Sequence, residues 1–226
     1  MHLDRIELAD IHHPAILAKT IHKLLGTRDG AVPVVDIAKA LDVSEVRLDR
    51  FDGFEGMLLT DTVRSTGSIL ANTSKNKRRT RFTVAHELGH FLMERHQLSA
   101  ATGFTCSVQD MRESREGRQH LRQETQANQF AIALLAPDYL MERYYSTDPD
   151  LRDAQRLREY LDVSLEACVR RMVDRRDEPL AAVWSHNGTV RYFARSADFP
   201  FVALNRGDRI PQTSAAHRAI VNGRPG

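Results

Sequence analysis

The segment Thr83–Glu94 constrains the fold more than any other stretch, because it sets three strongly polar side chains into an apolar helical stripe. Val84, Leu88, Phe91 and Leu92 recur at helical spacing around His86, Glu87 and His90. A helix with such a stripe is buried, and the three polar groups go inside with it. Residues four apart on a helix are turned by about 40° and separated by about 6 Å, so both imidazoles can grip one ion at bond lengths near about 2.1 Å. Glu87 sits one residue further round, where it can take a proton from a water without binding the ion itself. Two surface histidines on an amphipathic helix would explain the bare His-Glu-x-x-His pattern but not its apolar setting. Gly89, a poor helix former, suits the close approach of another backbone or of a substrate.

A hydrolytic metal site needs a third protein ligand and an open position. The two cysteines, Cys106 and Cys168, are too few for an all-thiolate site or a disulfide scaffold, so the ligands must come from His, Asp or Glu. Glu124 shares a helical face with Ala127, Ala131 and Leu134, with Asn128 and Leu135 on the flank. A carboxylate carried inward is costly alone, and a divalent cation is its natural compensation. Asn128, one turn later, can accept from the N–H of a ligand histidine and fix its tautomer. His120 is a rival ligand four residues before Glu124, and Cys106 is either a blocking thiolate or a small core residue.

With these residues in place the chain resembles the ImmA/IrrE family of metallopeptidases, within the gluzincin type. The resemblance is carried by Arg81–Leu92 and by Glu124-x-x-Ala127-Asn128-x-Phe130-Ala131-x-x-Leu134-Leu135-x-Pro137, with Ala136 where the family often has Met. It implies that His86, His90 and Glu124 bind the metal and that Glu87 is the catalytic base; the expected ion is zinc, with manganese as the alternative. It also implies a protein substrate, typically a helix-turn-helix repressor encoded nearby and cleaved in response to stress or mobile-element induction. The competing expectation is a metal-stabilised regulatory or partner-binding protein without turnover. The group that stabilises the oxyanion is not identifiable from spacing: Tyr139, Tyr144, Tyr145, His96 and His120 are all near enough, and none is favoured.

The rest of the chain bounds these expectations. Its 226 residues suffice to bury roughly 70% of the unfolded surface. A composition that is 42% hydrophobic and 27% charged excludes collagenous and disordered classes. No apolar run approaches the roughly 20 residues that span a bilayer. Met1–Arg5 is charged and leads into no apolar segment, so a cytoplasmic location and no membrane partner are expected. A net charge of +2 argues against direct nucleic-acid binding by the whole chain. Locally, five cations between Lys75 and Arg81 read as a solvated basic turn, with a docking patch for an acidic partner or DNA as the alternative.

Periodicity predicts helices over Pro14–Leu25 and about Pro33–Leu41, and strands over Val46–Phe51, Glu55–Thr60 and Gly67–Asn72. Helix is expected from about Arg81 to Arg176, interrupted at 97–115, with breaks or starts at Pro137, Pro149 and Ser164. Asn187-Gly188 between two alternating runs predicts a type I′ hairpin, and a frayed tail should follow. The expected fold class is α+β: a small, mostly antiparallel sheet packed against a helical zincin-like core, with a C-terminal helical and β-hairpin subdomain. Residues 1–147 should form the metallopeptidase domain and residues 148–226 the C-terminal subdomain.

Overall fold

The computed structural model describes residues 3–98, 103–106, 118–214, 217–218 and 221. Its elements in chain order are α1 (Pro14–Leu25), α2 (Val34–Ala40), β1 (Val43–Asp49), β2 (Gly56–Thr60), β3 (Gly67–Asn72), α3 (Lys77–Leu92), β4 (Gly103–Cys106) and α4 (Arg118–Leu135). The one-turn α5 (Asp138–Met141), α6 (Leu151–Leu161), α7 (Leu165–Arg175), β5 (Ala181–His186) and β6 (Thr189–Arg195) follow. The fold is α+β, as expected. Pro14 opens α1 and Gly26, at a left-handed φ of 71°, stops it. Pro137, Pro149 and Ser164 stand at or just before the starts of α5, α6 and α7.

The chain divides into two compact units, Met1–Tyr144 with Leu157–Ser164, and Tyr145–Arg156 with Leu165–Gly226. In the first, the strand order is β1-β3-β2-β4, with β1 parallel to β3 and β2 antiparallel to both its neighbours. Period-two alternation buries Gly56, Leu58 and Thr60 of β2 and Gly67, Ile69 and Ala71 of β3, with Leu58 opposite Ile69. Helix α3 packs on β2 and β3. A Cβ at Gly67 would lie 3.1 Å from the Phe91 ring, so the glycine lets the helix sit close. Strand β1 starts three residues earlier than its pattern suggests and ends at Asp49, where the Thr73 amide bonds the Asp49 carbonyl and closes the ladder. It is an edge strand, and beyond Val43 its residues are half-buried or exposed, so alternation there does not report burial.

Helix α3 begins at Lys77, four residues before the expected start, because the Asn76 side chain caps it by accepting from the Arg79 amide at 3.0 Å. The basic run therefore straddles the start of a helix, with Lys75 before the cap and the other four cations in the first two turns, and is not a solvated turn. Cations at a helix N-terminus oppose its dipole, and carboxylates compensate. Asp162 lies 3.0 Å from Lys77, 3.4 Å from Arg78 and 3.6 Å from Arg81, while Glu159 meets Arg78 at 3.0 Å and Glu55 meets Arg79 at 3.4 Å. Four of the five cations are paired within the chain.

In the second unit β5 and β6 pair across Asn187 and Gly188, whose φ values of 50° and 72° are those the I′ turn requires. The Arg170 guanidinium of α7 covers the stacked Trp184 and Tyr192 rings at 5.0 Å from each. Arg206 and Gly207 form a turn, and Ile210 returns to bond the Gly188 carbonyl. Of the tail expected to fray, residues 215, 216, 219, 220 and 222–226 lie outside the described residues. No helix among the described residues is long and apolar enough to cross a membrane.

Candidate metal centre

Helices α3 and α4 meet where Gly89 has no side chain. A Cβ there would stand 2.9 Å from Phe130 Cδ1 and 3.4 Å from the Ala127 Cα, so the expected close approach is to the backbone of α4. That contact brings His86 and His90 of α3 to Glu124 of α4. His86 Nε2 and His90 Nε2 are 3.1 Å apart, and each lies 3.2 Å from a Glu124 carboxylate oxygen. Both histidines are 0% and Glu124 is 1% exposed.

The chemistry of this donor set tests whether an ion fits. His86 Nδ1 faces the Asn128 amide oxygen at 3.0 Å. An amide oxygen only accepts, so Nδ1 carries the proton and Nε2 turns a lone pair inward. Lone pairs and a carboxylate converging at 3.1–3.2 Å repel unless a cation lies among them. A tetrahedral ion with bonds of about 2.1 Å spreads its ligands about 3.4 Å apart, close to the observed separations. His86, His90 and Glu124 are thus a buried group that can hold a metal.

Burial lowers the His90 pKa to about 4, with the charge on His86 adding to the effect, and lowers His96 to about 3. Burial also depresses His86, but the Glu124 carboxylate 3.2 Å away and the Glu87 charge outweigh it and raise the pKa. For Glu124 the burial penalty is likewise overcome, by the His86 and His90 rings 3.2 Å from its oxygens, and its carboxyl is held well below the usual range. His22 on α1 is lowered by burial, against the bond it donates to the Leu134 carbonyl at 2.8 Å.

A pH dependence follows for the metal-free protein. His22, His90 and His96 stay neutral when folded, whereas the unfolded chain protonates them below about pH 6.5. Their stabilisation is present above that value and is lost as pH falls towards 4. His86, whose pKa is raised, contributes in the opposite sense only above about pH 6.5, where the folded ring keeps a proton that the unfolded one has lost. Urea titrations in chelator at pH 7, 6 and 5 should show stability falling by up to about 1.4 kcal/mol per pH unit for each histidine whose pKa is lowered. A flat profile would refute this assignment.

Glu87 is 0% exposed, and Gly56 of β2 makes its place. A Cβ at Gly56 would overlap Glu87 Oε1 and stand 2.6 Å from Thr83 Cγ2. Gly56→Ala is expected to cost about 1–3 kcal/mol of stability through overpacking and to push the Glu87 carboxylate away. Thermal unfolding of the variant checks this, and an unchanged midpoint would show that the site absorbs the methyl.

The structure brings together four of the five expected site residues, His86, His90, Glu124 and Asn128, with Glu87 beside them. His120 Nδ1 is 4.0 Å from Glu124 Oε1 and remains at the edge of the cluster. The Cys106 side chain lies outside the described residues. Three of the candidate oxyanion groups are engaged elsewhere: Tyr139 with His22, Tyr144 with Tyr160 and Tyr145 with Arg176. His96 is seated against His90, Nδ1 to Nδ1 at 3.0 Å, with its Nε2 3.2 Å from Gln126 Oε1. Spacing places His96 only among five candidate oxyanion groups, and it does not reveal its contact with His90 or the parts of Gln126 and Gly56.

Compared with known proteins, the chain matches a peptidase family model, that of the IrrE N-terminal-like domain, over residues 34–173, more than half of its length. The match contains both ligand helices. No curated protein matches the chain.

Proposed function

The chain belongs to the IrrE N-terminal-like family of metallopeptidases, and from that premise we propose that it is a zinc-dependent endopeptidase that cuts a regulatory protein, specifically a helix-turn-helix repressor. The observation that carries the reading is the convergence of His86, His90 and Glu124 within 4.8 Å of one another, with Glu87 beside them. In this reading His86, His90 and Glu124 hold the ion, and Asn128 keeps the His86 lone pair directed at it. A zinc ion there supplies Lewis acidity, lowering the pKa of water and polarising the scissile carbonyl. Glu87 takes the proton of the attacking water at its carboxylate and passes it to the leaving amine. Exclusion of solvent strengthens each of these electrostatic effects.

One observation favours a second reading, a metal-stabilised partner-binding protein without turnover: His86, Glu87 and His90 expose no surface. Under the peptidase reading the same burial means that the site must open before a peptide bond reaches Glu87, as suits an enzyme under tight control. The test is incubation of the purified chain with the helix-turn-helix protein encoded beside it, with zinc or with chelator, and mass spectrometry of the products. Two fragments that appear with zinc and not with chelator are expected. A partner that binds and stays intact in both would support the second reading.

A further inference from the structure

We propose that His96 and Gln126 form a relay that sets the tautomer of His90 and so keeps its Nε2 available to the ion, a positioning role that rests on the metal-centre reading above. His96 lies in the turn just past the end of α3 and is 4% exposed. Its Nε2 stands 3.2 Å from Gln126 Oε1, an oxygen that only accepts, so His96 carries its proton on Nε2 and offers a lone pair at Nδ1. His90 Nδ1, 3.0 Å away, must then be the donor. The proton of His90 is held on the far side of the ring, and its Nε2 lone pair faces His86 and Glu124. With a donor opposite His96 Nε2, both rings would take the other tautomer and His90 would hold a proton in the middle of the centre.

The turn that carries His96 is held from two sides. Arg64, 6% exposed and at a left-handed φ of 52°, donates to the Met93 carbonyl at 2.6 Å and to those of Phe91 and His96. From α4, Gln123 donates to the Gln97 carbonyl at 3.0 Å. A buried guanidinium and a left-handed non-glycine residue are each unfavourable, and here both serve to place this one turn. Asn128 does for His86 directly what Gln126 does for His90 through His96, so the two histidines present matched lone pairs.

The test uses the full chain, with zinc affinity read by competition against a chromophoric chelator and imidazole tautomers read by nitrogen NMR of the zinc-loaded protein. Wild type should bind one zinc, with His96 neutral and protonated on Nε2. His96→Leu should weaken zinc by about 10- to 100-fold, the usual effect of removing a group that orients a ligand. His96→Asn, whose amide oxygen can accept where Nδ1 does, should restore binding towards wild type. Unfolding midpoints of the metal-free variants separate lost affinity from lost fold. Equal affinity in wild type and His96→Leu, no recovery in His96→Asn, or a proton on His96 Nδ1 in wild type would overturn the relay. If His96→Leu does not fold, the wild-type tautomer and the asparagine variant still decide it. A wild type that binds no zinc would instead overturn the metal centre itself.

Discussion

Glu87→Gln is expected to retain zinc and partner binding while lowering cleavage by at least about 10²-fold, the lower end of what a positioned base contributes. The amide keeps the size of the carboxylate, so the space that Gly56 leaves stays filled and α3 keeps its seat on β2. What disappears is the ability to accept a proton. Glu87 lies outside the group of three that can hold the ion, which is why metal content should not change. The measurement pairs elemental analysis with a derepression assay of wild type, Glu87→Gln and His86→Ala, following the partner by immunoblot. Binding of intact partner without its release points to hydrolysis through Glu87. If Glu87→Gln supports full derepression with the partner intact, the metal is structural and the peptidase reading fails.

Changing His86, His90 or Glu124 to Ala should remove stoichiometric metal, a larger loss than the about 10- to 100-fold expected when only an orienting partner is lost. Each of the three supplies one donor to a centre whose atoms lie 3.1–3.2 Å apart, and no two of them enclose the ion. Elemental analysis after gel filtration checks it. A full complement in Glu124→Ala would move the third ligand elsewhere, with His120, 4.0 Å from the Glu124 carboxylate, first in line. Metal loss with an unchanged far-UV spectrum would show that the variants fold and have lost only the ion.

Elements whose signal is local were legible in advance. The α1 stripe between Pro14 and Gly26, the β3 run Gly67–Asn72 and the Asn187-Gly188 turn each reside in neighbouring residues, and each is found where it is expected. The start of α3 was not legible, because a string of cations disfavours a helix N-terminus unless something distant neutralises it. Asp162 and Glu159, some eighty residues on, do so.

The same division runs through the candidate centre. Helical periodicity and the cost of burying charge were enough to single out His86, Glu87, His90 and Glu124, since a polar group on an apolar stripe needs a partner wherever the helix packs. Asn128 was legible for the same reason, one turn along the same helix. Which donors meet is another matter, because it depends on the distance between helices and not on the order of residues. Gly89 against Ala127 sets that distance, Gly56 shapes the space for Glu87, and the turn after α3 carries His96 to His90. Those three contacts join residues with no shared periodicity. Only packing in three dimensions decides them, because short-range sterics and hydrogen-bond geometry act between atoms that are close in space, however far apart they lie along the chain.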